Sequence, residues 1–436
     1  MRRLLIIISC LMPTVTNAQA NLQLQYGYRG GLAASRFFPS TFDLSKKSLS
    51  LETNFNLYFS NRAVNFESFR TVLNARELTN EDIDQFLQNL DERNTLTVGQ
   101  DLLLLALGFK SKIRKLPINW GVTISDRGAA HLIYRKSLFE LLLRGNRDFA
   151  GQAIELSPEL RGRYFREIAL HSAFEVKKSG DLKLRVGYQL KYYWAIAGVF
   201  LEDASLRFFT EENGRSLSVD YRYDYFSSGI DDFSLTTNRG YGLGLSLGTT
   251  LTWKERLALD IGLNDLGSIA FNQGVSVVSD RESFVFEGLS QDGFERITDV
   301  TDSIDVLIEN ENRMEASFHR PVGTQLLAQL SYKFNEFSSK ENPTQLFLTY
   351  VQGFHEVPGI TRKPRFVVAA NTRLFKSIYF GLNSAFGGLN SLAIGGSIGV
   401  RIGNFRFSIQ SDDFTGFILP SRGTGIGLGF TMRYSR

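Results

Sequence analysis

Leu182-Lys183-Leu184-Arg185-Val186-Gly187-Tyr188-Gln189-Leu190-Lys191-Tyr192-Tyr193-Trp194 is the stretch whose reading decides the fold. Leu182, Leu184, Val186, Tyr188, Leu190, Tyr192 and Trp194 alternate with Lys183, Arg185, Gly187, Gln189 and Lys191. Successive strand residues point to opposite faces, so this alternation reports two different environments. The run is longer than the roughly 5–6 residues of an ordinary soluble strand. It meets the roughly 9–11 residues that a tilted strand needs to cross a bilayer. Its apolar face ends in Tyr and Trp, the residues that collect at membrane interfaces in barrels.

The same pattern recurs outward in both directions. It fills 48–59 (Leu49, Leu51, Phe55, Leu57, Phe59), 241–253 (Tyr241 to Trp253) and 423–435 (Ile426, Leu428, Phe430, Met432, Tyr434). Tight-turn residues join neighbouring runs at Ser179-Gly180, Asn213-Gly214, Lys254-Glu255, Lys376-Ser377 and Gly403-Asn404. Long connections occupy 60–94, 127–162, 227–238, 266–321, 354–364 and 414–422. Short turns on one rim and long loops on the other are the asymmetry of outer-membrane barrels. The expected class is therefore all-β, a transmembrane antiparallel β-barrel of about 14–16 strands. The favoured assignment has about 16, counting 202–211 and 215–226 as separate strands. Two loop helices are expected. One follows Thr79, capped with Asp82 and carrying Ile83, Phe86, Leu87 and Leu90 on one face; the other spans 137–143.

The first twenty residues have another character. Arg2-Arg3, an apolar stretch from Leu4 and Ala18-Gln19-Ala20 form a signal peptide pattern, with cleavage expected after Ala20. The stretch is too short for a helical span, and Cys10 comes too early for a lipoprotein signal. The expected organisation is a signal peptide at 1–20, an N-terminal plug or leader at 21–47 and a barrel at 48–436, exported by the general secretory route to the outer membrane. Cys10 is the single cysteine, so a mature chain has neither disulfides nor thiol chemistry. The 49 basic and 45 acidic side chains nearly balance and are dispersed, which speaks against a nucleic-acid partner.

No catalytic constellation emerges. His131, His171, His319 and His355 lack the spacing of a zinc site. Asp231-Asp232 and Asp412-Asp413 read as solvated loop carboxylates or weak cation sites with no histidine tied to them. No enzyme activity, cofactor or resident metal is expected. Glycine repeats at Gly240, Gly242 and Gly244 and from Gly423 to Gly429 have period two, unlike a nucleotide loop. They read as small positions where a plug or the opposing wall comes close. Parity alone places Glu167, His171, Glu175, Lys183, Arg185, Gln189 and Lys191 on the lumen face as selectivity candidates.

Several short motifs occur in a characteristic order: Ser137-Leu138-Phe139-Glu140-Leu141, Tyr164-Phe165-Arg166-Glu167, Gly187-Tyr188-Gln189-Leu190-Lys191-Tyr192, Tyr223-Asp224-Tyr225, Leu263-Asn264-Asp265-Leu266-Gly267 and Phe286-Glu287-Gly288-Leu289. In that order the chain resembles an uncharacterised Bacteroidota-type barrel family similar to FadL- and PorV-like transporters. The resemblance implies an outer-membrane barrel, usually of fourteen strands, that passes or captures small hydrophobic molecules. The same barrel type also serves in secretion machinery, so a structural or adaptor subunit is the alternative. Such a subunit would meet a protein partner through loops 60–94 and 266–321. The Asn-Pro-Ala signature of FadL proper is absent; Phe38-Pro39-Ser40 stands nearest to it.

Overall fold

A computed structural model describes residues 31–44, 48–61, 65, 79–113, 116–286, 314–334, 344–374, 377–389, 392–419 and 423–436. The expected signal peptide and the first part of the expected plug lie outside these residues. The strands in chain order are β1 (Leu49–Asn61), β2 (Arg93–Ile113), β3 (Leu116–Arg135), β4 (Ala153–Glu155), β5 (Glu159–Ser179), β6 (Leu182–Thr210), β7 (Leu217–Ser228), β8 (Gly240–Trp253) and β9 (Leu257–Phe271). They continue with β10 (Val275–Phe286), β11 (Phe318–Pro321), β12 (Gln325–Phe334), β13 (Thr344–Gly353), β14 (Arg365–Leu374), β15 (Ile378–Gly387), β16 (Leu392–Ile402), β17 (Phe405–Ser411) and β18 (Gly425–Ser435). No helix among the described residues is long and apolar enough to cross a membrane.

The wall is a closed antiparallel ring of 14 strands. It runs through β1, β2, β3, β5, β6, β8, β9 and β12 to β18, and β18 pairs back onto β1 from Ser50↔Ser435 to Ser60↔Gly425. Closure leaves no strand edge exposed to lipid, the condition for a sheet to exist in a bilayer. Outward positions such as Leu190, Leu243, Leu348, Val368, Ile398 and Leu428 are exposed and form the apolar belt. The alternate positions face inward and are buried. The longest apolar run, Leu102–Leu107, fits this scheme because a bulge between Leu103 and Leu105 resets the parity. Leu104 and Leu105 both face out there, while Leu103 and Ala106 stay inside.

Two of the sixteen expected strands are not part of the wall. The expected strand 202–211 is the outer end of β6, which stops at Thr210, and the expected strand 215–226 overlaps β7 from Leu217. The inner part of β6, Leu182 to Ala195, pairs with β8. The outer part, Gly198 to Thr210, pairs instead with β7, which pairs in turn with β10. At about 3.3 Å per residue, the 29 residues of β6 far exceed a bilayer about 30 Å thick. The Asn213-Gly214 turn is therefore at the tip of an external arm, not on the short-turn rim. The stretch 266–321, expected as one loop, contributes β10 to this arm and β11 to the rim beside β9. The capped helix is present at Asn80–Gln88, with Thr79 and Asp82 in a reciprocal capping box. It packs against the helix Lys136–Arg144 through Phe86 and Phe139, whose centroids are 5.3 Å apart.

Candidate functional site

The barrel interior is built around residues 31–44. Almost all of them are buried, and Leu32, Ala34, Phe38, Ser40, Phe42 and Leu44 are fully so. A short helix, Leu32–Ser35, presents the Leu32 and Ala33 N–H groups to the Glu52 carboxylate, each at 3.0 Å. Inward side chains of the surrounding strands hold the rest of the segment. Gln189 Nε2 donates to the Ser35 carbonyl (2.6 Å), and Asn264 Nδ2 donates to that of Phe37 (2.8 Å). The Leu44 N–H donates to Asn119 Oδ1 (3.2 Å), and Arg36 pairs with Asp101 at 2.6 Å. Glycines of the wall make room for it, among them Gly108, Gly121, Gly187, Gly248 and Gly262. A Cβ on Gly248 would lie 2.8 Å from Pro39 Cδ, and one on Gly187 would collide with the Pro39 backbone. The period-two glycines serve other contacts: Gly244 clears the Tyr193 ring and Gly429 clears Asn56, while Gly242 is crowded by the backbone of β9.

Across the lumen the inward face of β12 to β16 carries an apolar patch, set among inward polar residues such as Gln329, Ser331, Thr349 and Asn383. Inward positions of β12 to β16 supply Leu327, Phe347, Val351, Val367, Ala369, Ala385 and Ala393, and Phe37 and Phe38 pack into this cluster. Hydrogen bonds thus hold the backbone of the segment, while Phe37 and Phe38 pack into the β12 to β16 patch and Leu32, Phe42 and Leu44 pack against Leu103, Ala106 and Ala173 of β2 and β5.

Outward of the segment, four buried charges form one network. Arg127 reaches Glu167 at 2.6 Å and Asp265 at 3.0 Å. Lys191 reaches Asp265 at 2.6 Å and Glu167 at 3.7 Å. Two cations and two anions cancel, as a low-dielectric interior requires. Asp265 can take part because β9 bulges. Asn264 and Asp265 together oppose Ser246, so consecutive residues both point inward; Asp265 has φ 55° and donates its N–H to Ser246 Oγ at 3.2 Å.

The seven parity candidates fall in three places. Glu167 and Lys191 are in the charge network. His171 and Gln189 line the segment, with His171 Nε2 2.9 Å from Thr123 Oγ1 and Nδ1 3.4 Å from Ser35 Oγ. Arg185, Lys183 and Glu175 sit towards the short-turn rim. Arg185 holds the Phe42 carbonyl and, at 3.0 Å, Asp43; Lys183 pairs with Glu255 of the turn; Glu175 is half-buried in register with Arg185. Parity reading missed Arg127, Asp265, Arg36 and Asp101. The signal for Asp265 was a carboxylate inside the apolar strand context Leu263-Asn264-Asp265-Leu266, hidden by the bulge. Of the paired carboxylates, Asp232 is exposed and bridges Arg239, but Asp413 is fully buried, in contrast to the solvated reading. Its Oδ1 accepts from the Thr415 N–H (2.9 Å) and hydroxyl (2.6 Å), which satisfies the first N–H of the short helix Thr415–Ile418. Among the described residues no group of three or more His, Cys, Asp or Glu is placed to hold a metal.

Residues 44–412 match a family described as "Family of unknown function (DUF5723)". No curated protein matches the chain. Solved structures with a similar fold include the Ralstonia pickettii toluene transporter TbuX, at 9% identity, covering 95% of this chain and 99% of that one, with TM-score 0.46. A Pseudomonas aeruginosa FadL homologue has 9% identity, coverage of 97% and 99%, and TM-score 0.44. The Pseudomonas putida toluene transporter TodX has 9% identity, coverage of 97% and 99%, and TM-score 0.42. The likeness is one of barrel architecture.

Proposed function

The chain belongs to this family of unknown function, DUF5723, and from that premise we propose that its barrel passes or captures small apolar molecules at the outer membrane, with residues 21–47 as the plug of its lumen. The observation that carries the reading is the apolar patch on the inner face of β12 to β16, into which Phe37 and Phe38 pack. A water-filled channel has a polar interior. Leaving apolar side chains against lumen water costs about 25 cal/mol per Å², so such a patch favours apolar contents. Phe37 and Phe38 occupy it and stand where an apolar solute would pass. The second reading, a subunit that meets a protein partner through loops 60–94 and 266–321, draws support from the external arm of β7 and β10.

The test uses purified full-length protein in liposomes, with uptake of an apolar solute such as toluene and with single-channel conductance, compared with a form lacking residues 21–47 and with Phe38→Ala. Faster apolar uptake in both altered forms, by about tenfold, is the expected outcome for a docking contact worth more than the 1.4 kcal/mol that a factor of ten represents. Uptake equal to that of protein-free liposomes in all three forms overturns the transport reading and favours the partner reading.

A further inference from the structure

Val357-Pro358-Gly359-Ile360 is a turn by composition: proline presets the second position and glycine supplies a positive φ at the third. The structure has that turn at the tip of the 354–364 loop, between β13 and β14. Gly359 has φ 87°. The Val357 N–H donates to the Ile360 carbonyl (3.1 Å), and the Ile360 N–H to that of Val357 (2.9 Å). Glu356 Oε1 accepts from the Thr361 hydroxyl and the Arg362 N–H, each at 2.9 Å, and so ties the two limbs together. Connecting loops ordinarily run over the surface. The base of this one does, with Phe354 and residues 362–364 exposed, but its tip is buried: Val357 is 7% exposed and Ile360 1%.

The groups that bury the tip come from across the ring. His131 Nε2 accepts from the Gly359 N–H at 2.9 Å. Arg163 donates to the Pro358 carbonyl (3.4 Å), and Arg161 to that of Glu356 (3.0 Å). His131 belongs to β3 and the two arginines to β5, whereas the loop leaves from β13 and returns to β14, which stands halfway round the ring from β3. A third side is closed by the link between β11 and β12. Arg163 also holds the carbonyls of Pro321, at 2.6 Å, and Val322. A Cβ on Gly323 would lie 2.5 Å from Ile360 Cδ1 and 2.7 Å from Val357 Cγ2, so the link is bare where the turn rests on it. The six residues from Gly353 to Gly359 reach at most about 20 Å, and the long side chains of Arg161 and Arg163 meet them from the far wall.

We infer that the turn 356–361 is an outer barrier of the lumen, separate from residues 31–44, and that Arg163 and His131 are the positioning residues that keep it across the mouth. The inference deepens the passage reading and rests on it for the barrier's role: a solute entering from outside meets the turn before it meets Phe37 and Phe38. The two barriers act in series. The turn therefore limits entry most where the inner segment has been removed.

The experiment reads access to the mouth and not passage. Ala129 is the reporter position: it stands between Arg127 and His131 on the inward face of β3, is 5% exposed, and is in register with Arg163. The full chain carries Ala129→Cys in a Cys10→Ser background, which leaves one thiol. In nanodiscs its labelling by a sulfonated maleimide is timed. A second reporter, Ala106→Cys, is buried among Leu32 and Phe42 on the short-turn side. Ile360→Asp places a charge at the buried tip without touching the wall, so it decides the matter if Arg163→Gln does not fold; heat-modified migration on gels verifies each barrel. The expected result is labelling of Ala129→Cys at least tenfold faster in Ile360→Asp and in Arg163→Gln, largely slowed again in Arg163→Lys, with Ala106→Cys unchanged throughout. Faster labelling without any toluene uptake supports the barrier and counts against passage alone. Labelling of Ala129→Cys unchanged in Ile360→Asp, or equal acceleration at Ala106→Cys, overturns the inference.

Discussion

Arg127, Glu167, Lys191 and Asp265 show what a single inward residue is worth. Each has opposite charge on two sides, and the Arg127 guanidinium also lies 5.3 Å over the Phe165 ring. Removing one member leaves buried charge without its partner. Asp265→Ala should therefore destabilise the barrel by about 3–5 kcal/mol, seen as a lower midpoint in urea unfolding of the detergent-extracted protein. Glu167→Gln combined with Lys191→Met removes one charge of each sign. It should cost clearly less than the two single changes together, because each single change strands a charge that the pair does not. Strict additivity would show that the network is no network at all. Parity in the sequence identified Glu167 and Lys191 as inward. It said nothing of which residues neutralise them, because the partners come from other strands: Arg127 from β3, beside β5, and Asp265 from β9, two strands from β6 around the ring.

Single elements carry their own instructions to differing degrees. The helix Asn80–Gln88 was legible in full: Thr79 caps it, Asp82 answers, and the apolar face lies where the spacing puts it. The hydrogen bonds from the Thr79 hydroxyl and backbone N–H hold the Asp82 carboxyl below the usual carboxylate range. Because its folded value is depressed, the cap contributes fully above the ordinary carboxylate pKa and is lost as pH falls through the lowered value. Hydrogen-exchange protection of the Ile83 N–H, which bonds the Thr79 carbonyl at 3.1 Å, should fall over that acidic window. Asp82→Asn should show low protection at every pH; a pH dependence that survives the change would assign it to another group. The strand β9 was the opposite case. Its bulge reverses the parity at Asp265, and no local composition announces it, since the two-against-one pairing is made with Ser246 on another strand.

The whole molecule is a closed wall with an arm on top. Expected sixteen strands became fourteen because β6 keeps alternating after it has left the wall. Alternation records two faces and not which strand lies alongside, so an external ribbon and a membrane strand look alike. If the wall needs only the inner part of β6, replacing 203–223 by an Asn-Gly turn should leave a closed barrel. Glu202 and Asp224 face each other across the arm and suit such a two-residue hairpin. The shortened protein should keep its heat-modifiable gel shift and lose less than about 1 kcal/mol of stability, the scale of surface changes away from the core. Loss of the barrel signature would place the arm strands in the wall after all.

The sequence by itself determined that this is a membrane barrel, which faces of its strands meet lipid, where the two loop helices form, and that charged residues such as Glu167 and Lys191 stand inside. These follow from local rules: a period of two, a length set by the bilayer, and a cap that contacts residues three positions on. Only the tertiary structure decided that the lumen carries an apolar patch on β12 to β16, that residues 31–44 fill the space inside the ring, and that Arg127 and Asp265 complete the buried charges. It also brought His131 and Arg163 to the turn 356–361. These are relations across the ring between residues far apart in sequence, and closure of the sheet is what fixes them.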